Sequence, residues 1–382
     1  MAIASVPRLR EHFPILADST YLVSHSMGAA PAAARAALAA YVDAWQHNGP
    51  EAWDGWLPEL ARIADGIASL IGAEAGSVSL VPNVSHAMSA LASSAPLPPE
   101  RREVVIEALQ FPTVRYVWQA WERFGVRVVI VPSHDGRTTS TDALCSAIGE
   151  RTAFAVLSHA AYQSGATIDV RSIAERCRET GTVFVLDAYQ TTGVVPYDAL
   201  DLGLDVVVGG SHKWLCGGPG CGFIYVRPGL RERFAPAATG WMAHAAPFAF
   251  EDEPIRHATG AERFFTGTPT VPGMVAAKPG HDAIREVGVH AIRERNVHLT
   301  QALVRGALER GFDVPTPLEP ERRTGWIGMD FPGAGRAAKA LVERRVFVDY
   351  RPGCGIRVGP HVYTTDDEIG HFFAELDAVR ER

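Results

Sequence analysis

Paired cysteines are missing from this sequence. Its five (Cys145, Cys177, Cys216, Cys221, Cys354) form an odd, scattered set with no Cys-x-x-Cys spacing, which excludes a disulfide framework and a zinc knuckle. The fourteen histidines include no His-Glu-x-x-His run, so no metal is expected. No apolar run approaches the roughly 20 residues a membrane span needs. The opening Met1-Ala-Ile-Ala-Ser-Val-Pro-Arg8 has no apolar core preceded by positive charge, so a cytoplasmic protein is expected. Clusters of lysine or arginine beyond short pairs are also lacking, and the net charge is -7. Nucleic acid is therefore excluded as the main partner, because phosphate binding needs a basic face. No internal repeat or disordered tract is present.

What remains is an ordinary globular composition, 47% hydrophobic and 21% charged with both signs mixed, in a chain of 382 residues that can bury a large core and a ligand cleft. From about residue 77 to 226, β-rich apolar runs alternate with helical patterns. The runs are Val78–Val81, Glu103–Leu109, Val126–Val131, Phe154–Leu157, Val183–Leu186, Val206–Val208 and Phe223–Val226. Between them lie amphipathic stretches such as Val170–Thr180, closed by Gly181 as a helix end should be. This alternation predicts an α/β fold with a mostly parallel central sheet wrapped by helices, and the near-continuous apolar strands fit burial on both faces. After it come a long helix from about Asp282 to Arg310, short strands at Trp326–Asp330, Val346–Asp349 and Gly355–Val358, and helices at Ala334–Arg345 and Asp366–Val379. That is the pattern of a smaller C-terminal α+β domain. The expected division is an N-terminal segment and helix over 1–50, the helix at Pro31–Ala44, a large site-bearing domain over 51–278, and the small domain over 279–382, with the boundary near Lys278–Gly280.

Ligands of such sheets sit outside the carboxyl ends of the strands. Asp187 directly follows Val183–Leu186, and Lys213 follows Val206–Val208 within Gly209-Gly-Ser-His-Lys-Trp-Leu-Cys-Gly-Gly-Pro-Gly220. A helix-containing crossover is expected between them, so that both face one crevice. An amine beside an acid suits pyridoxal phosphate, which needs a lysine for its aldehyde, an acid at the ring nitrogen, an anion cradle and a flat cover. Desolvation in partly apolar surroundings would favour the neutral, nucleophilic form of Lys213. Asn83-Val-Ser-His-Ala-Met-Ser-Ala-Leu91 follows a strand and reads as a capped helix N-terminus, with Val84 and Ser85 placed to bind phosphate. Phe111, after another strand, is placed to stack on the ring.

These residues resemble the fold-type I pyridoxal phosphate enzymes of the class V aminotransferase superfamily, and within it the kynureninases. The segments that carry the resemblance are Tyr21-Leu-Val-Ser-His-Ser-Met-Gly28, Phe111-Pro-Thr-Val114, Gly217-Gly-Pro-Gly220, Gly240-Trp-Met-Ala-His244 with Pro247–Phe250, and Arg263-Phe-Phe-Thr-Gly-Thr-Pro269. The resemblance implies Lys213 as Schiff-base lysine and proton shuttle, Asp187 at the pyridine nitrogen, and Gln190 near the ring oxygen. It places Ser158, Ser211 and His212 on the cofactor side, with Trp241 and Thr268 completing the phosphate cradle. It also implies Arg357 as the clamp for the substrate carboxylate, with Ser26 beside it. In this superfamily the Gly-Thr-Pro segment reaches in from a second subunit, so a homodimer acting on a small-molecule amino-acid substrate is implied.

Three positions depart from kynureninase. His212 stands where tyrosine usually precedes the lysine, Val114 replaces an aspartate, and Gly359-Pro-His-Val-Tyr363 replaces the family's tail after the arginine. The expected reaction is hydrolysis of kynurenine to anthranilate and alanine. The alternatives are other outcomes of the same carbanion: cysteine desulfuration or carbon–sulfur and selenocysteine cleavage, for which Cys354 is the candidate thiol, epimerisation, or transamination. A cofactor-bound regulator is disfavoured, since no basic helix precedes the strands that begin near residue 77.

Overall fold

The computed structural model describes residues 6–94 and 97–380. The reading of the N-terminal leader falls mainly on Met1–Ser5, outside the described residues. The strands are β1 (Thr20–Tyr21), β2 (Val78–Val81), β3 (Glu103–Glu107), β4 (Arg127–Val131), β5 (Thr152–Ser158), β6 (Val183–Asp187), β7 (Val206–Gly210), β8 (Gly222–Val226), β9 (Ile327–Met329), β10 (Val346–Phe347), β11 (Asp349–Arg351) and β12 (Gly355–Val358). Seven of them form one sheet in the order β2-β8-β7-β6-β5-β3-β4. Its pairings are parallel except those of β8, which runs antiparallel to both β2 and β7. The fold is α/β, with a mostly parallel central sheet wrapped by helices, as expected.

Why the sheet is buried on both sides is visible in the strand residues. In β6, Phe184 and Leu186 join one apolar cluster while Val183 and Val185 join another. The pleat sends alternate side chains to opposite faces, and each face meets helices: Trp53–Leu70, Val170–Thr180 and Val271–Val287 on the first, Val84–Ser94 and Pro112–Ala120 on the second. Helix Val170–Thr180 is capped by the Asp169 carboxylate, which accepts the Ser172 N–H, and ends at Gly181 in the left-handed conformation. A third cluster joins Leu299 and Leu303 to Ile327, Met329, Ile356, Val358 and Phe372. It is the core of the C-terminal part, whose small sheet has the order β11-β12-β9.

Three expectations need correction. The long helix expected from Asp282 to Arg310 is two helices, Val271–Val287 and Val289–Glu309, divided at Gly288, whose φ of 84° no ordinary residue holds comfortably. The first of these helices runs through residues 278–280, where the two domains are expected to meet. The connection from β6 to β7 contains no helix; it runs as turns, opened by Thr191 and Thr192 N–H groups donating to the Ala188 carbonyl. The apolar stretch Val346–Asp349 is split, β10 pairing in parallel with β1 and β11 pairing with β12. The N-terminal helix runs Ala33–Asn48 and has no buried residue.

Candidate active site

The carboxyl ends of β3, β5, β6 and β7 open into a cavity of about 340 Å³, within the range of small-molecule sites. Its walls include Ser26, Val84, Ser85, Phe111, Ser158, Asp187, Gln190, His212, Lys213 and Arg357, residues contributed by seven separate stretches of chain. A larger cavity, about 640 Å³, opens between residues 134–141 and 317–322. Its walls hold no lysine and no strand-end acid, so it offers none of the chemistry below.

Lys213 lies just past β7, on a loop pinned from three directions. The Gly28 N–H donates to the His212 carbonyl at 2.8 Å, His361 Nε2 donates to the Trp214 carbonyl at 2.9 Å, and Gly280 of helix Val271–Val287 packs against the Cys216 carbonyl. A Cβ on Gly28 would stand 2.2 Å from the Lys213 carbonyl oxygen, so the close approach requires glycine there. Among the described residues the Lys213 amine makes no ion pair. It lies 4.6 Å from the centre of the Tyr189 ring and 5.9 Å from that of Phe111. Burial pulls its pKa down to about 8, against the opposing pull of Asp187, so a sizeable neutral fraction exists near neutral pH.

Asp187 ends β6, paired in register with Ser158 at the end of β5. Burial pushes its carboxyl up to about 6, while the Tyr189 N–H, donating to Oδ1 at 3.0 Å, and the Lys213 charge act in the other direction. A cationic ring nitrogen placed against it would reverse that shift. Gln190 donates through Nε2 to the His25 carbonyl at 3.2 Å and keeps its Oε1 buried without a partner. Helix Val84–Ser94 begins at the cavity wall. Asn83 Oδ1 accepts the His86 N–H at 3.1 Å, while the N–H groups of Val84 and Ser85 find no acceptor among the described residues. Free donors at the positive end of a helix, beside an amine, an acid and an unsatisfied amide oxygen, fit the phosphate, aldehyde, ring nitrogen and ring hydroxyl of pyridoxal phosphate.

Arg357, on β12, is buried at 4% exposure. Its Nε and Nη2 donate to the two oxygens of Asp349 at 2.8 and 2.5 Å, and Nη1 donates to the Tyr162 carbonyl at 2.7 Å. Three donors are thus engaged, and the guanidinium keeps one outward fork for an incoming carboxylate. Asp349 also accepts from His25 Nε2 at 3.0 Å. Burial opposes ionisation of Asp349, yet the hydrogen bonds from His25 and Arg357 outweigh it and hold the carboxyl far below its ordinary range. His25 is itself brought down to about 4 by burial and the Arg357 charge, so it stays neutral and acts as a donor to Asp349.

Three residues expected at the cofactor stand elsewhere in this chain. Ser211 is fully buried with its hydroxyl 2.8 Å from His281 Nε2, because the chain leaving β7 turns it toward helix Val271–Val287 and away from the cavity. Trp241 packs on Phe248 and Phe250, and neither it nor Thr268 lines the cavity. Phe111 does line it, but it is half exposed with its ring edge-on to Tyr162 at 5.3 Å. The sequence reading missed His25, Tyr162, Tyr189 and Asp349. Asp349 carried the same signal as Asp187, an acid at the end of an apolar run. Tyr189 lay inside the Asp187–Gln190 motif; its hydroxyl is 2.7 Å from His212 Nδ1, in space that Gly210 leaves free.

A class V aminotransferase model matches residues 57–369. This chain belongs to the class V aminotransferase family. It is 30% identical to the uncharacterised aminotransferase YcbU of Bacillus subtilis, over 97% of this chain and 96% of that one. Kynureninase of Pseudomonas fluorescens is 29% identical, covering 99% and 93%, and that of Burkholderia pseudomallei 31% identical, covering 92% and 86%. Among solved structures, an apo cysteine desulfurase from Thermococcus onnurineus superposes with a TM-score of 0.86 at 18% identity, covering 98% of this chain and 97% of that one. The cystine C-S lyase C-DES gives 0.86 at 22%, covering 95% and 98%, and a mutant of it holds glycine covalently linked to its PLP cofactor. These structures share the fold.

Proposed function

We propose that this protein is a pyridoxal 5'-phosphate enzyme that cleaves an amino acid side chain hydrolytically between Cβ and Cγ, with kynurenine as the substrate and anthranilate and alanine as the products. The observation that carries the reading is the convergence, in one cavity, of an unpaired amine, a buried acid and an arginine with one free fork. Bound there, the cofactor supplies an electron sink for the pair of electrons left when a bond at the substrate α-carbon breaks. Val84 and Ser85 hold its phosphate through their N–H groups, Asp187 keeps a proton at the ring nitrogen, and Gln190 faces the ring oxygen. Arg357 grips the substrate carboxylate and so fixes which α-carbon bond stands above the ring plane. Lys213 then takes the α-proton as a neutral amine, a task worth roughly two to four orders of magnitude. Phe111 and Tyr162 offer an aromatic wall against which an aminobenzoyl side chain can pack. Two kynureninases at 29% and 31% identity over nearly the whole chain support this choice.

Desulfuration is less well supported. Cys354 is fully buried, lies outside the cavity wall, and has its thiol pushed up to about 12 by burial, whereas a nucleophilic thiol needs exposure and a low pKa. Trp241 and Thr268 complete the site from a second copy of the chain in this reading, which makes the enzyme a homodimer. The test is to record the visible spectrum of the purified protein, fix the chromophore with borohydride and map the labelled residue, then add kynurenine and follow anthranilate fluorescence. A yellow protein labelled at Lys213 that ignores kynurenine but exchanges its amino group with a 2-oxo acid would replace hydrolysis with transamination.

A further inference from the structure

Glu107 closes β3 at 2% exposure, and among the described residues no lysine or arginine pairs with it. Its Oε1 accepts the Ser158 N–H at 2.8 Å, while its Oε2 is buried without any partner. Ser158 Oγ in turn donates to Gln110 Oε1 at 2.6 Å. Sheet order places β5 between β3 and β6, so Glu107 and Asp187 approach Ser158 from its two sides. Two buried carboxyl groups therefore lie on either side of one strand end, Asp187 in the cavity wall and Glu107 outside it. The one cation that reaches them, Lys213, acts on Asp187 and is absent from the groups that act on Glu107.

We propose that Glu107 is a positioning residue held in its protonated, neutral form, which leaves Asp187 as the single ionised carboxylate of this buried pair. A second anion in that place would have neither water nor a counter-charge to offset its burial. The proton sits on Oε2, since Oε1 already accepts from Ser158. A neutral Glu107 thus ties the ends of β3 and β5 together without repelling Asp187, and Asp187 alone sets the charge presented to a ring nitrogen. The groups facing Glu107 agree with this state. From β6 comes Asp187 and from β5 comes Ser158; from the turn after β3 comes the amide of Gln110, bonded to Ser158; and Val131 pairs with it on β4. Burial raises Glu107 to about 8, with Asp187 adding to the rise against the Ser158 N–H, whereas Asp187 reaches only about 6. At neutral pH the order of ionisation leaves the proton on Glu107.

The test uses the apoprotein. A carboxyl whose folded pKa exceeds its unfolded one lends most stability at low pH, and that stability is lost as pH rises from roughly 4.3 in the unfolded chain to about 8. Thermal melts of wild type and Glu107→Gln, which keeps the acceptor for the Ser158 N–H, should diverge across this window. The variant is expected to melt progressively higher than wild type as pH rises, the gap levelling off near 8. A gap that does not change with pH means Glu107 ionises like an exposed acid, and overturns the proposal. If Glu107→Gln fails to fold, the infrared band of a protonated carboxyl in Asp187→Asn apoprotein at neutral pH decides instead, and its absence likewise overturns it. The role toward Asp187, unlike the protonation state, rests on the proposed cofactor. In cofactor-loaded protein, the visible absorbance of wild type should show a titration step near pH 8 that Glu107→Gln lacks, and identical pH profiles would refute that role. Failure of wild type to take up cofactor would sink the proposed function and leave the apoprotein result standing.

Discussion

A lysine inside a protein costs stability, and Lys213 shows why this chain tolerates one. Its folded pKa, lowered to about 8 by burial, lies below the unfolded value, so the folded state is penalised at neutral pH and the penalty fades as pH rises from about 8 toward roughly 10.4. Apoprotein carrying Lys213→Met is therefore expected to melt above wild type at pH 7, by roughly 2–4 °C for each kcal/mol relieved, with the gap closing in alkaline buffer. The same variant should retain no borohydride-fixed chromophore, and Lys213→Ala should lower turnover by about 10²- to 10⁴-fold. A variant that melts at the wild-type temperature at every pH would show that the amine is solvated. Cys354 is the opposite case, a residue that the sequence offers for chemistry and burial withholds. Cys354→Ala should keep kcat within about twofold of wild type in a steady-state assay.

At the scale of elements, the site is an assembly of strand ends and the segments that lock them. The lysine loop takes its position from Gly28, whose segment is far away in sequence, so Gly28→Ala should displace the loop at a cost of about 1–3 kcal/mol and weaken cofactor binding at least tenfold, measured by spectral titration. The β11–β12 hairpin carries Asp349 and Arg357 together, a two-point pair reinforced by His25. Removing Asp349 leaves Arg357 buried without its partner, a loss of up to about 3–5 kcal/mol. Asp349→Ala should therefore lower the denaturation midpoint and raise KM more than it lowers kcat, and a change in kcat alone would argue against Arg357 as the carboxylate clamp. Because the Asp349 carboxyl is held below its ordinary range, its stabilisation is present above roughly pH 3.9 and lost below it. Acid melts of Asp349→Ala should accordingly converge with those of wild type.

For the molecule as a whole, the location of Trp241 and Thr268 outside the cavity in one chain fits a site shared between two. Phe248 and Phe250, half and largely exposed beside Trp241, suit an interface better than water. Sedimentation should give twice the mass of one chain. Mixing two inactive variants, Lys213→Ala and one altered at Thr268, should restore part of the activity through heterodimers with one intact site. No helix among the described residues is long and apolar enough to cross a membrane.

How much of this was legible before the structure follows from what is local in the chain and what is not. Apolar periodicity determined the seven strands of the main sheet and their burial on both faces, since a side chain's direction in a strand depends only on its position in the pleat. Strand-end logic likewise singled out Asp187, Lys213 and the Val84–Ser85 helix start. The sequence did not show that Asp349 engages Arg357 from one side, or that Ser211 turns from the cavity. Nor did it show that Gly288 breaks a continuous helical pattern or that Glu107 and Asp187 flank the same strand end. Those outcomes depend on which strands become neighbours and how far water is excluded, and both are properties of the packed chain.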